Sequence, residues 1–210
     1  MKPMRSRGLQ GVFGGEGPAP SAVVVLLHGG PEESLHKPWP WDTGRARLGA
    51  FVPALRAASA RLEPPGGRFN LAILQARYEV RGWNGAARSP VAGVERMLDA
   101  IQAEAGPLPV ALVGHSMGGR IAAVLAPRPE VAVVVGLAPW WPQGEGRYLR
   151  RGQSVLVLQG RKDHVVDRAS TRKQIEEARG RGVAAEWVDM AGGHAMARDW
   201  RTWHSLTADF

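Results

Sequence analysis

The chain reads as an α/β protein: one domain with a mostly parallel central sheet of about six to seven strands, helices on both faces and no inserted cap domain. Two observations carry this. Short continuous apolar runs, which mark strands buried on both faces, alternate with longer stretches whose apolar residues recur at helical spacing. That alternation, with turn residues between the runs, demands parallel strands joined by right-handed crossovers. A third observation fixes the centre of the arrangement. In Val110-Ala111-Leu112-Val113-Gly114-His115-Ser116-Met117-Gly118-Gly119 a strand-like run passes through a small-residue bend straight into the helix-like Ile121 to Ala126.

Residues 1–20 are rich in Gly and Pro and form an N-terminal segment, with Leu9 to Phe13 as a possible short edge strand; the domain is expected over residues 21–210. Ala22 to Leu27 is the first buried strand, and it ends at His28-Gly29-Gly30-Pro31. The loop from Pro31 to Gly44 holds Trp39 and Trp41 and should lie beside the mouth of a site. One helix is expected from Ala46 to Leu62, with Leu48, Phe51, Val52, Leu55 and Ala58 on its inner face, stopped by Pro64-Pro65-Gly66-Gly67. A strand over Phe69–Ala76, a helix over Val91–Ala105 and the strand–bend–helix centred on Ser116 follow. Then come a strand over Glu130–Ala138, a strand over Ser154–Gln159 and a helix over Arg168–Gly180. A strand over Ala184–Met190 and a C-terminal amphipathic helix from Trp200 complete the order. Only about fourteen residues part the fourth and fifth of these strands, too few for a helical lid, so the site should open to solvent, bordered by Trp83, Trp140 and Trp141.

With 210 residues the chain is most economically one domain, and its 44% hydrophobic and 22% charged content is that of a soluble globular protein. No apolar run approaches the roughly 20 residues of a membrane span, and no signal peptide is read at the start, so a cytoplasmic location is the default and no membrane partner is expected. Lacking cysteine, the chain has neither disulfides nor thiolate metal sites, which leaves serine as the nucleophile to look for. A net charge of +8, from 27 Lys and Arg against 19 Asp and Glu, would suit an anionic partner. There is no aromatic-interleaved basic stripe or recognition motif, so no nucleic-acid partner is expected.

The residues that carry chemistry each follow a strand. Gly-x-Ser-x-Gly is a weak motif in a glycine-rich chain, and its strand-before, helix-after context is what makes Ser116 a nucleophile candidate on a sharp bend, with Gly114 and Gly118 where neighbouring segments pass too closely for a Cβ. Asp163, just past the strand ending at Gln159, is the carboxylate expected to orient a histidine; Asp167 competes with it, at the start of the next helix where an aspartate commonly caps. His194, freed by Gly192 and Gly193, is the candidate base. The backbone N–H groups of Gly30 and Met117 are the candidate oxyanion donors. His28 and His164 read as loop structure, and His204 lies on a helix with nothing to aim it. Arg77, Arg81, Arg120 and Arg161 stand near the site, as solvated charge or as an attraction for an anionic substrate.

Taken together, His28-Gly29-Gly30, Gly114-His115-Ser116-Met117-Gly118-Gly119, Gly160-Arg161-Lys162-Asp163 and Gly192-Gly193-His194, in the order Ser, Asp, His, resemble the α/β-hydrolase superfamily, and within it the small lidless bacterial esterase-like members. The resemblance implies a serine hydrolase that cleaves a small ester or related acyl substrate through an acyl-enzyme, with a Ser116–His194–Asp163 triad and no metal or organic cofactor. The same residues would also serve an acyltransferase, an amidase, a C–C hydrolase or a perhydrolase, or remain in a binding protein without turnover. The natural acyl substrate and the oligomeric state are not implied.

Overall fold

The computed structural model describes residues 19–39, 43–62 and 69–210. The possible edge strand over Leu9–Phe13 and the loop residue Trp41 lie outside them. Among the described residues six strands form one sheet: β1 (Ala22–Leu27), β2 (Leu71–Gln75), β3 (Val110–His115), β4 (Val131–Leu137), β5 (Ser154–Gly160) and β6 (Ala184–Met190). Their spatial order is β2-β1-β3-β4-β5-β6, and every neighbouring pair is parallel. From β1 the chain steps outward to β2, then returns to β3 and proceeds the other way. The crevice beyond the carboxyl ends of β1 and β3, where the direction of winding reverses, is where open parallel sheets bind ligands.

Each face of the sheet is covered because alternate strand residues point to opposite sides. Val23, Val25 and Leu27 of β1, with Leu112 of β3 and Val155 of β5, pack in one cluster with Val94, Leu98 and Ile101 of α3 (Val91–Ala105), Ile121 of α4 (Met117–Leu125) and Ile175 of α5 (Arg168–Gly180). Val24, Leu26, Val113 and Leu156 belong to a second cluster, with Leu48 of α1 (Thr43–Gly49), Leu55 of α2 (Val52–Ala60) and Trp203 of α6 (Trp200–Asp209). Strands so enclosed cannot present polar side chains, and for that reason they read as unbroken apolar runs. A fully buried Leu or Val contributes about 1.5–3 kcal/mol, so each such run anchors its strand.

The helix expected over Ala46–Leu62 is two. Pro53 lies in the first turn of α2. It has no N–H to return to the carbonyl four residues earlier, so a helix arriving from α1 cannot continue through it. The chain instead tightens at the junction, where Phe51 N–H donates to Leu48 O at 3.0 Å, and α2 restarts. The break turns Phe51 into the core, where it is 1% exposed.

Between β4 and β5 the only regular element is the 3-10 turn Glu145–Tyr148, so no cap domain is inserted there. No helix among the described residues is long and apolar enough to cross a membrane. Gly93, inside α3, offers a check on local energetics. A Cβ placed there meets nothing nearer than the end of the Arg96 side chain, 3.8 Å away. Gly93→Ala is expected to raise unfolding free energy by about 0.5–1 kcal/mol, because alanine has less backbone entropy to lose in a helix; urea denaturation of the two proteins measures it.

Candidate active site

Ser116 lies between the last residue of β3 and the first of α4, with φ 53° and ψ −117°. Few non-glycine residues hold such angles, and they persist only where the surroundings over-determine them. Here the backbone of the bend is tied on both sides. Ser116 N–H donates to Leu137 O at 3.1 Å, and its carbonyl accepts from Gly119 and Trp140 N–H at 3.0 and 3.1 Å. The bend also requires close approach. A Cβ on Gly114 would stand 2.2 Å from Gly118 O, and one on Gly118 would stand 1.8 Å from Leu27 O. The two glycines are the condition for α4 to start directly over the ends of β1 and β3.

Asp163 follows β5, and its side chain is fully buried. Both carboxylate oxygens are satisfied. Oδ1 accepts from Val165 and Val166 N–H at 2.9 and 3.3 Å, and Oδ2 accepts from Gln159 Nε2 at 2.8 Å and His194 Nδ1 at 2.9 Å. Burial alone would raise the Asp163 pKa, but the hydrogen bonds from His194, Val165 and Val166 outweigh it and hold the pKa below the ordinary carboxylate value. Because Nδ1 must donate to a carboxylate, Nε2 of His194 is left as the acceptor. Asp167 does something else: its Oδ1 accepts from Ser170 N–H at 2.9 Å and caps α5.

The loop that carries His194 is seated by backbone. Lys162 N–H donates to Gly192 O at 2.8 Å, and Gly192, at φ 89°, makes the turn that a side chain would strain. Gly160 leaves room for this loop; a Cβ there would be 2.8 Å from Gly192 O. Ser116 and His194 border one cavity of about 320 Å³, together with His28, Gly29, Gly30, Pro31, Thr43, Gly44, Arg47, Arg81, His115 and Val165. Among the described residues the Ser116 hydroxyl makes no hydrogen bond; such contacts in resting sites commonly tighten only around substrate. Gly30 is held against Arg81 and Met117: a Cβ on it would stand 2.3 Å from Arg81 O and 2.6 Å from Met117 Cε. Met117 opens α4, so its N–H is among the first donors of the helix, which have no acceptor within it.

The sequence profile of the alpha/beta hydrolase family matches residues 24–210. The chain belongs to the alpha/beta hydrolase family. No curated protein matches it. Among solved structures it is similar to an alpha-beta serine hydrolase homologue from Coxiella burnetii (17% identity, 92% of this chain and 86% of that one, TM-score 0.67). It is also similar to Est1E from Butyrivibrio proteoclasticus with ferulic acid bound (12%, 92% and 89%, TM-score 0.68). A third is the propionate-bound esterase Est2 from Thermogutta terrifontis (17%, 95% and 85%, TM-score 0.66). At these identities the likeness is one of fold.

In this alpha/beta hydrolase none of the three tryptophans expected at the border of the site is among the residues lining the cavity beside Ser116. Trp83 and Trp141 are each 2% exposed. The Arg120 guanidinium sits in the corner between the rings of Trp83 and Trp140, at 4.1 and 4.5 Å from the centroids of rings that meet at 82°, and its Nε donates to Glu145 Oε1 at 2.7 Å in a buried ion pair. Trp141 Nε1 donates to Gly119 O at 3.0 Å. These residues brace the β4–β5 connection against α4. Arg120 is thereby committed, Arg77 borders a neighbouring pocket, Arg161 is exposed, and of the four arginines only Arg81 lines the cavity.

Three residues that matter were not singled out in the sequence. Gln159 is a wholly buried amide in an apolar strand, and that contrast was the available signal. Arg47 reaches the cavity from α1, on a stretch whose own pattern signals only an amphipathic helix. His115, inside the motif itself, is 3% exposed, and its Nε2–H donates to His194 O at 2.9 Å, tying the bend to the loop opposite. Burial, then the neighbouring His194, lower the His115 pKa to about 3. Folding therefore favours neutral His115. Its contribution is complete above the unfolded histidine pKa of about 6.5 and is lost as pH falls from there toward about 3. Between pH 7 and pH 5 the loss is about 2 kcal/mol. Urea unfolding at the two pH values should show it, and His115→Leu should flatten that slope; an equal slope in both proteins would refute the assignment.

Proposed function

We propose that the protein is a serine esterase that cleaves small acyl esters through an acyl-enzyme. The observation that carries this reading is a strained Ser116 sharing one cavity with a histidine whose Nδ1 is held by a buried, fully hydrogen-bonded Asp163. In the proposed cycle the Ser116 hydroxyl attacks the ester carbonyl as its proton passes to His194 Nε2, and Asp163 stabilises the imidazolium that forms. The developing oxyanion is met by the N–H groups of Met117 and Gly30. Return of the proton to the leaving alcohol gives the acyl-enzyme, and water, deprotonated by the same imidazole, releases the acid. The esterase Est2, similar in fold, is known with propionate bound, which supports a short acyl group here.

A fluorophosphonate is expected to label the protein at one residue, Ser116, with parallel loss of p-nitrophenyl butyrate hydrolysis. Labelling elsewhere, or hydrolysis that survives complete labelling of Ser116, overturns the proposal.

A further inference from the structure

We infer that Arg47 and Arg81 make the Ser116 cavity a receptor for acyl esters bearing a second, free carboxylate, such as half-esters of dicarboxylic acids. The inference rests on the esterase reading and names its substrate class.

Its basis is a contrast in how this chain uses arginine. Several buried or half-buried guanidinium groups away from the cavity are committed: Arg120 to Glu145, Arg128 to Asp99 and Glu130, Arg168 to Asp189, and Arg150 to the backbone carbonyls of Arg128 and Val131. Arg47 and Arg81 form no ion pair among the described residues, although both are half-buried and both border the cavity. Among the described residues that line the cavity there is no Asp or Glu. A concave space bordered by two arginines, with no carboxylate among the described residues that line it, attracts a negatively charged guest and repels a cation.

The two arginines come from different elements. Arg47 belongs to α1, which packs on the sheet face that also carries α2 and α6; its charge is near enough to His115 to contribute to the lowering of that pKa. Arg81 follows β2. Its carbonyl lies against Gly30, and its guanidinium lies over the Trp39 ring, 5.4 Å from the centroid. The volume of about 320 Å³ is at the small end for ligand pockets, as a short chain ending in a carboxylate requires. Arg47 also borders an apolar groove with Phe51, Met196 and Trp200, so it marks where the polar cavity gives way to apolar surface. A neutral long-chain ester would have to run its tail past this guanidinium, whereas a short acyl chain can end on it.

The test compares monoethyl adipate with ethyl hexanoate, equal in acyl length and different in the terminal carboxylate. At about 10 mM salt, kcat/KM is expected to favour the half-ester by about tenfold or more, and the ratio is expected to fall severalfold at about 0.5 M salt. Arg47→Gln should lower the ratio about tenfold, and Arg47→Lys should keep most of it. A ratio at or below one in the natural protein, or a ratio unchanged in both Arg47→Gln and Arg81→Gln, overturns the inference. Calorimetric binding of monoethyl adipate to Ser116→Ala protein separates this from the chemistry. There Arg47→Gln should weaken binding about tenfold, and equal affinity overturns the inference. Failure of the natural protein to hydrolyse either ester would count against the esterase reading, with the binding comparison still deciding this one.

Discussion

Ser116→Ala is expected to lower kcat for a short ester by about five to six orders of magnitude while leaving the fold intact. The size follows from what the proposed mechanism asks of the hydroxyl. Removing the nucleophile of a triad leaves only the oxyanion donors and substrate binding, which retain about 10³–10⁴ over the uncatalysed rate. At about 1.4 kcal/mol per decade the change corresponds to about 7–8 kcal/mol of transition-state stabilisation. The fold should tolerate the change because alanine keeps the Cβ that the bend already accommodates, and because the hydroxyl makes no hydrogen bond among the described residues. Unfolding free energy should therefore stay within about 1 kcal/mol of the natural protein. Steady-state kinetics and urea denaturation on the same preparation check both halves. A variant that keeps even a tenth of the activity contradicts the assigned nucleophile, and one that unfolds cannot be used to support it.

Gly118→Ala should do the opposite, damaging stability first and activity as a consequence. The added Cβ would stand 1.8 Å from Leu27 O, 2.5 Å from Leu27 C and 2.8 Å from His28 O. All three are backbone atoms at the carboxyl end of β1, so no side-chain rotation relieves the clash. The helix has to lift from the sheet, carrying Ser116 and the Met117 N–H with it. Overpacking commonly costs 1–3 kcal/mol and more when backbone must move, so a loss of about 3 kcal/mol or greater is expected, or about 6–12 °C in Tm for a chain of this size. Esterase activity should fall by at least about a hundredfold even in the protein that remains folded, since a displacement of about 1 Å at a reacting group has that effect. Gly93→Ala, where the space is open, is the matched control. Equal behaviour of the two variants would contradict the close approach of α4 to β1.

The contrast between the two glycines shows what kind of information a sequence carries. The strands were legible because burial on both faces forces continuous apolar composition, and the helix α3 because one apolar face imposes a period. The helix start at Pro53 was equally present in the sequence, yet the regular spacing of Leu48, Phe51 and Leu55 masked it: both α1 and α2 bury the same face, so periodicity runs through the break. Asp163 and Asp167 illustrate a finer point. Both follow a strand and precede a helix; the sequence favoured Asp163 and put Asp167 at a common capping position, and in the structure Asp163 Oδ2 lies 2.9 Å from His194 Nδ1 while Asp167 Oδ1 lies 2.9 Å from Ser170 N.

The walls of the cavity were the least legible part. Trp83, Trp140 and Trp141 stand in loops at the carboxyl edge of the sheet, where large aromatics commonly border ligands. Their side chains turn instead to a buried arginine, Arg120, and to a helix carbonyl, Gly119 O, partners that chain position does not associate with them. Arg47 is the converse: an ordinary residue of an amphipathic helix that packing brings to the cavity.

By itself, the sequence determined the order of the strands along the chain, their parallel sense, and the positions past strand ends where Ser116, Asp163 and His194 stand. It could do so because backbone conformation and burial on both faces leave local marks, in glycine spacing and in apolar runs. Only the tertiary structure decided which neighbours each side chain meets: Asp163 with His194, Arg120 between two tryptophans, Arg47 and Arg81 at one cavity. Such contacts join residues dozens of positions apart, and their energies depend on distance in space, which no local pattern records.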